Sequence, residues 1–320
     1  MNQKTLLGRS SVEVPRMGVG AMTWGDAVGL ARLQPAKSAY GGAHGFEEEK
    51  KAFEVSLEAG ANLFDTAAMY AGGASERRLG ELVPGKDVLI ATKFPPGWFS
   101  RVESLPQALD DSLSRLRRDS IDLYQHHYPT SRRDDIPRLM SLMADAFEAG
   151  KIKAIGVSNY SADQMRLAYA ALEERGLPLA SNQVQYSLLY RKPEVDGVLD
   201  ACRELGITLI AYSPLAMGAL TGKYSATEKA GGFRRFMPTF NRTSMEALQP
   251  VLALLREIGG RYSKTPSQVA LRWLIEDPVV LPIPGAKNGR QAAENVGALS
   301  FSLMPEEVQA LGQATQAWRA

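Results

Sequence analysis

Eight short stretches, most of them continuous apolar runs, recur along the chain, each followed by a segment whose apolar positions take a helical spacing. The runs cover 17–22, 61–65, 88–93, 121–127, 152–157, 182–186, 207–212 and 279–284. Strands buried on both faces read as continuous apolar runs, so these are predicted to be parallel strands of one sheet. The intervening stretches carry pairs such as Phe53 and Leu57, or Leu109, Leu113 and Leu116, at helical spacing. They predict helices over 47–59, from about 75, from 104, over 136–149, from 161, over 193–205, 245–262 and 265–275, and from about 288 and 305. Gly60 and Gly150 end two of them, and Ser104 with Gln107, Ser161 with Gln164 and Thr265 with Gln268 have the spacing of capping boxes.

Ahead of the first run, Leu6 to Val14 with Gly8-Arg9-Ser10-Ser11 in its middle reads as a short hairpin, placed to plug one end of a barrel. Eight strand-then-helix units closing on themselves make an α/β protein, a (β/α)8 TIM barrel with an N-terminal β-hairpin and extra C-terminal helices. A doubly wound open sheet would carry a glycine fingerprint after its first strand. Here Gly18-Val19-Gly20 lies inside the strand and no third glycine opens a helix. One domain over 1–320 follows. Two irregular stretches, 26–45 and the loop around Phe233-Arg234-Arg235-Phe236, are candidates for closing over a bound molecule.

Composition narrows the partners. The 320 residues are 45% hydrophobic and 22% charged, with a net charge of +2, which is ordinary for a globular chain. No dense Lys/Arg run points to nucleic acid, and Arg115, Arg117 and Arg118 read as cations suited to a helix end. A single cysteine, Cys202, excludes an internal disulfide and a thiolate metal cluster. His126 and His127 are adjacent and point to opposite faces of a strand, so no metal site is expected. The start lacks a signal-peptide core and no segment approaches the roughly 20 apolar residues of a membrane span. The expectation is a cytoplasmic monomer or weak homo-oligomer acting on a small molecule.

Active sites of such barrels lie at the carboxyl ends of the strands. Those ends supply Asp65, Lys93, His127, Ser158 with Asn159, Gln183 and Tyr212, and the second loop supplies Tyr70. Taken singly, an Asp or Lys there is more often a surface ion pair and a Tyr in a glycine-rich loop is more often packing. Their equivalent positions in successive units bring them to one face. The set holds no activated nucleophile, since Cys202 falls on a helix and Ser158 has no adjacent base, and it has one carboxylate where a glycosidase needs two. A phenol is a weak acid with a reference pKa of about 10. A nearby ammonium eases loss of its proton, and Lys93 supplies one if Asp65 keeps it charged. An acid that protonates an oxygen without nucleophile or metal suits carbonyl reduction, with hydride from a cofactor. A neutral His127 would orient the carbonyl beside Tyr70. Ser158, Asn159 and Gln183 can bond a carboxamide and Tyr212 can stack on a flat ring, as a nicotinamide requires. Trp24, Trp98 and Phe99, in the first and third loops, either wall the substrate pocket or pack as ordinary loop aromatics.

These motifs together resemble the aldo-keto reductase superfamily, its bacterial and plant branches, and are similar to the potassium-channel beta subunits. They are Asp65-Thr66-Ala67-x-x-Tyr70 with Gly72-Gly73-x-Ser75-Glu76, Thr92-Lys93, and Asp122-Leu123-Tyr124-Gln125-x-His127-x-Pro129. Gly156-Val157-Ser158-Asn159, Asn182-Gln183-Val184-Gln185-Tyr186 and Ala211-Tyr212-Ser213-Pro214-Leu215 complete them, so the likeness runs from Gly18 to Asn295. The resemblance implies Tyr70 as general acid, Lys93 and Asp65 as its tuning pair and His127, over His126, as carbonyl orienter. Tyr128 stands where the family commonly has Trp. It also implies an extended NADPH bound without a Rossmann domain, with Thr23, Trp24 and Asp65 among its contacts. Ser213, Leu215 and Gly218 would line the pyrophosphate, with Lys223 near it, and Pro214 and Met217 would be further cofactor contacts. Ile283, Gly285, Lys287, Arg290, Gln291, Glu294 and Asn295 would grip the adenosine end. Lys287 or Arg290 would pair a 2′-phosphate, unless both are solvated helix-start cations. Met217 brings no charge, so the NADPH preference is modest and NADH is a candidate. The implied activity is NADPH-dependent reduction of an aldehyde or ketone to the alcohol. The alternative from another class is a nucleotide-sensing regulatory subunit with feeble reductase turnover.

Overall fold

All eight predicted strands are present, and they pair in parallel in chain order. They are β3 (Val19–Gly20), β4 (Leu63–Asp65), β5 (Leu89–Phe94), β6 (Leu123–His126), β7 (Ile155–Ser158), β8 (Leu179–Gln185), β9 (Thr208–Tyr212) and β10 (Val280–Pro282). The computed structural model describes residues 4–26, 45–95, 101–129, 135–225, 231, 234 and 236–319. β3 and β10 are short, and Pro282 and Pro284 have no N–H to extend the ladder. The sheet nonetheless closes. Gly18 N–H donates to the Pro282 carbonyl at 3.0 Å and Gly20 N–H to that of Pro284 at 3.1 Å, and Gly20 bridges Gly285 in parallel. A Cβ on Gly18 would sit 3.0 Å from the Leu63 carbonyl oxygen and one on Gly20 3.0 Å from that of Ile283. The Gly-Val-Gly run thus serves the barrel seam.

The helices follow as α1 (Phe46–Glu58), α2 (Ala74–Leu82), α3 (Leu105–Leu116), α4 (Asp135–Glu148), α5 (Ala162–Glu173) and α6 (Val198–Leu205). After them come α7 (Arg242–Tyr262), α8 (Pro266–Glu276), α9 (Gly289–Val296) and α10 (Pro305–Ala314). The capping boxes at Ser161 and Thr265 form as predicted. The one at Ser104 does not. Its hydroxyl donates to the Arg101 carbonyl within a 3-10 turn, Val102–Ser104, that runs straight into α3. The helix predicted over 193–205 is likewise split, because Gly197 at φ 81° separates a 3-10 turn at Lys192–Glu194 from α6. Arg115 stands in the last turn of α3, as expected of a helix-end cation, and its Nε also donates to buried Glu76 at 2.6 Å. Among the described residues no helix is long and apolar enough to cross a membrane.

Successive strand residues alternate between the barrel interior and the helix layer. Phe64, Ile90, Tyr124, Ile155 and Leu209 pack outward into the main core under the helices. Leu63, Ala91, Leu123, Ala154, Ile210 and Leu281 point inward and form a separate cluster with Leu7, Val12 and Val14. Those last three belong to the hairpin of β1 (Lys4–Leu6) and β2 (Glu13–Pro15), which plugs the amino-terminal mouth of the barrel. Two residues further along the same inward rows stand Asp65, Lys93 and Gln125, so the interior turns from apolar to polar toward the carboxyl mouth.

The plug depends on Gly8, which has φ +57° and whose added Cβ would lie 2.4 Å from the Ala180 carbonyl oxygen. Gly8→Ala is expected to destabilise the fold by about 2 kcal/mol or more, from left-handed strain and the backbone clash. Urea unfolding measures this, and an unchanged midpoint would show that the plug does not bear on stability.

Candidate active site

Lys93 is 0% exposed inside the barrel. Its ammonium donates to Asp65 Oδ1 at 2.5 Å and to the Thr66 carbonyl at 2.7 Å. A charge removed from water is tolerated only when paired and hydrogen-bonded. Burial pulls the Lys93 ammonium below the lysine range, and the charge and hydrogen bond of Asp65 oppose it, with a smaller contribution from Glu76. The other Asp65 oxygen, Oδ2, accepts from Gln183 Nε2 at 2.8 Å and from Gln125 Nε2 at 3.3 Å. Behind β5, the buried Glu76 carboxylate accepts from the Thr92 hydroxyl at 2.6 Å and from Arg115.

Tyr70 opens a 3-10 turn, Tyr70–Gly73, in which Ala71, Gly72 and Gly73 take φ of 52°, 64° and 80°. This left-handed run delivers the chain from the end of β4 into α2, and a Cβ on Gly73 would meet Arg115 Cδ at 2.7 Å. The Ser75 hydroxyl donates to the Ala21 carbonyl at 2.7 Å and pairs with the Thr66 hydroxyl at 2.7 Å, which fixes the far side of the loop. Lys93 Nζ stands 5.1 Å from the Tyr70 ring centroid, and the His127 ring meets Tyr70 edge-on at 5.6 Å between centroids. The Asp, Tyr, Lys and His expected from strand ends are therefore one cluster.

The two adjacent histidines do face opposite ways. His126 turns outward, with Nδ1 at 2.9 Å from the Tyr160 hydroxyl, and burial pushes its imidazole down to about 3. His127 faces the site, stacked on Tyr128 at 4.8 Å. Burial first, then the Lys93 charge and His126, push it down to about 2, so it is neutral across the working pH range. His127 Nδ1 is buried without a hydrogen-bond partner among the described residues.

Ser158, Asn159, Gln183 and Tyr212 also converge. Asn159, held at φ 61°, donates through Nδ2 to the His127 carbonyl at 3.1 Å and to the Ser158 hydroxyl at 3.0 Å. Its Oδ1 accepts from the Tyr212 hydroxyl at 3.1 Å, and Ser158 donates to the Gln183 carbonyl at 2.8 Å. From Ser213 the backbone tightens, with φ of 51°, 47°, 54° and 97° at Ser213, Ala216, Met217 and Gly218. Strain of this kind concentrates at functional sites. Pro214 is buried, Leu215 packs against the core and Lys223 is exposed. Beyond β10, Lys287 is half-buried and brought down to about 8 by burial and then by Arg234, so two cations share one neighbourhood. Arg290 is exposed.

Several expected contacts serve the fold. Trp24 is 0% exposed, tilted against Phe64, and its indole N–H donates to the Ala286 carbonyl at 2.7 Å, so among the described residues it packs in the core. Thr23 is buried beside it, and Ile283 belongs to the barrel interior. Glu294 accepts a hydrogen bond from the Thr265 hydroxyl. Gln291 Oε1 accepts from Lys287 N–H at 3.0 Å and Asn295 donates to the Gly285 carbonyl at 3.2 Å, so these two shape the loop that carries Lys287. Trp98, Phe99, Phe233, Arg235 and positions 27–44 lie outside the described residues. Sequence reasoning missed Gln125 as a site residue, although counting by twos inward from Leu123 reaches it.

A family model described as the Aldo/keto reductase family matches residues 16–316. The chain is 37% identical over 320 residues to the chloroplastic pyridoxal reductase of Arabidopsis thaliana, covering 95% of this chain and 84% of that protein. Among solved structures it is similar to a glycerol dehydrogenase from Gluconobacter oxydans, with a TM-score of 0.81 and 25% identity over 97% of this chain and 95% of that one. It is also similar to an aldo-keto reductase from Klebsiella pneumoniae in complex with NADPH, with a TM-score of 0.74 and 26% identity over 98% and 95% of the two chains.

A histidine kept neutral in the fold takes up its proton only in the unfolded chain once the pH drops below about 6.5, so unfolding gains ground as pH falls toward the folded value. For His126 that window runs down to about 3. His126→Gln is expected to flatten the loss of stability between pH 6 and 4 by about 1.4 kcal/mol per pH unit. Urea unfolding at a series of pH values measures the slope, and a slope equal to wild type would contradict a neutral buried His126.

Proposed function

The chain belongs to the aldo/keto reductase family, and on that premise we propose that it is an NADP(H)-dependent oxidoreductase that reduces an aldehyde or ketone with Tyr70 as the acid. The observation that carries this reading is the buried Asp65–Lys93 pair set 5.1 Å from the Tyr70 ring, with neutral His127 edge-on to the same ring.

The residues present fit the cofactor. Two neighbouring cations, Lys287 and Arg234, suit a 2′-phosphate that would relieve their repulsion. Ser158, Asn159 and Tyr212 already share one hydrogen-bond network, where an amide and a flat ring find polar edges and an aromatic face. Gln183 would join them by giving up Asp65. The NADPH held by the Klebsiella pneumoniae relative supports this assignment. When bound, the nicotinamide supplies the hydride.

The protein's own groups then handle the oxygen. His127, neutral and edge-on to the Tyr70 ring, is placed to position a carbonyl next to Tyr70 by a hydrogen bond. The Tyr70 hydroxyl gives its proton to that oxygen. Lys93, itself out of reach of water, stabilises the charge left on the phenol oxygen. Asp65 keeps Lys93 charged against the burial that opposes it. In the reverse direction the same groups take the proton back.

The test mixes the protein with NADPH and a panel of aldehydes and ketones and follows loss of reduced-cofactor absorbance. Wild type is expected to consume NADPH, and Tyr70→Phe to lose about 100-fold or more in kcat while its Kd for NADPH stays within about twofold. Full activity in Tyr70→Phe would remove the phenol from the mechanism. Slow turnover of every carbonyl, joined to tight retention of NADPH, would instead favour a nucleotide-sensing subunit.

A further inference from the structure

Asp65 is held by three groups, Lys93, Gln183 and Gln125, and only Gln125 has no role in the reading above. The oxygen that faces away from Lys93 is fastened by two amides, Gln183 at 2.8 Å and Gln125 at 3.3 Å. Gln183 Nε2 also reaches Gln125 Oε1 at 3.4 Å, so the two glutamines brace each other across the barrel. We infer that Gln125 is a positioning residue: it anchors the far oxygen of Asp65 so that the carboxylate stays turned toward Lys93 when Gln183 moves to another partner. This rests on the reading of Asp65 and Lys93 as the pair that tunes Tyr70.

Three observations argue for it. Gln125 is 0% exposed, on a row that is otherwise apolar below it, and Leu123 fills the preceding inward position. A leucine would fill Gln125's place as well, and the amide is tolerable there only because it is hydrogen-bonded. Next, the barrel wall is cut back to admit it. Gly156 on β7 faces Gln125, and a Cβ there would fall 2.9 Å from Gln125 Cγ and 2.4 Å from the Ser181 hydroxyl. The glycine that begins Gly156-Val157-Ser158-Asn159 thus makes room for this glutamine together with Ser181 and with Leu123, whose Cδ1 the same Cβ would meet at 3.0 Å. Last, the proposed cofactor contact of Gln183 removes the shorter of the two amide bonds, which leaves Gln125 as the remaining side-chain amide on Asp65 Oδ2.

The consequence falls on Lys93. The groups that face its ammonium are Asp65 from β4, Glu76 from α2 with its partner Arg115 from α3, Tyr70 from the loop and His127 from the end of β6. Asp65 is the first of these to support the charge, from 2.5 Å. A carboxylate that swings from there to about 5 Å gives up half its Coulomb attraction. Amide N–H dipoles aimed at Asp65 screen its field a little, but that loss is smaller than the gain from fixing the distance.

The experiment uses full-length protein carrying lysine labelled with 13C at Cε, with the Lys93 signal assigned by its absence in Lys93→Met. The signal is followed with pH in wild type and in Gln125→Met, each alone and with NADP+. The passage of Lys93 from ammonium to amine is expected about one pH unit lower in Gln125→Met, with the larger displacement when NADP+ is present. The alkaline limb of kcat should move by the same amount while the KM for NADPH holds, a split that a merely packing role would not produce. Should Gln125→Met fail to fold, Gln125→Asn, too short to reach Asp65, carries the same expectation. A Lys93 transition at one and the same pH in wild type and variant would overturn the inference. A wild type inert toward every carbonyl would sink the proposed function instead, and the NMR comparison would still decide the role of Gln125.

Discussion

An ammonium buried where no water reaches it is the constraint around which the carboxyl mouth of this barrel is organised. Lys93 is brought in because β5 places every second residue inward, and two positions above Ala91 the inward place is a lysine. Such a charge is supportable only with a counter-charge at contact, so Asp65 at the end of β4 is bound to it at 2.5 Å. Each later feature secures that arrangement. The Thr66 carbonyl takes a second ammonium proton, the two glutamines hold the outer carboxylate oxygen, and Glu76 adds negative charge from behind the strand.

The lower half of the barrel makes this possible. Its inward layer is closed by the hairpin, whose Leu7, Val12 and Val14 complete the apolar cluster of the strand residues below the polar layer. The ion pair therefore lies between an oily floor and the loops of the mouth, where the field of a single charge carries further than in water. The loop bearing Tyr70 is fastened at its near end by the Thr66 N–H on the Ala91 carbonyl at 2.8 Å and at its far end by Ser75 onto the Ala21 carbonyl. A phenol held beside an ammonium by a fixed loop is already in place for the acid role proposed for it.

Much of this was legible from the residues. Most strands buried on both faces write themselves as continuous apolar runs, which with the helical stretches between them let eight units and their order be read, and the polar residues at their ends had to lie at one mouth. What escaped were matters of direction and partner. Trp24 looked like a pocket wall because it follows a strand, yet its ring turned into the core and its N–H found Ala286, a contact 262 residues away in sequence. Arg115 does end its helix as a cation, but its partner Glu76 was hidden because it lies on another helix. Ser104 had the capping spacing, but a preceding 3-10 turn used its hydroxyl. Gln125 hid within a motif whose meaning seemed exhausted by His127, although the alternation that puts Lys93 inside puts it inside too.

The account stands or falls on the charge of Lys93 acting on Tyr70. The most direct measurement is single-turnover NADPH oxidation by Lys93→Met with an aldehyde that the wild type reduces. Methionine keeps the length and bulk of the side chain and removes only the ammonium. NADPH should still bind, and the rate of hydride transfer should fall by about 100-fold or more. A rate equal to wild type in a folded variant would mean that Tyr70 needs no cation beside it, and the central claim would be wrong.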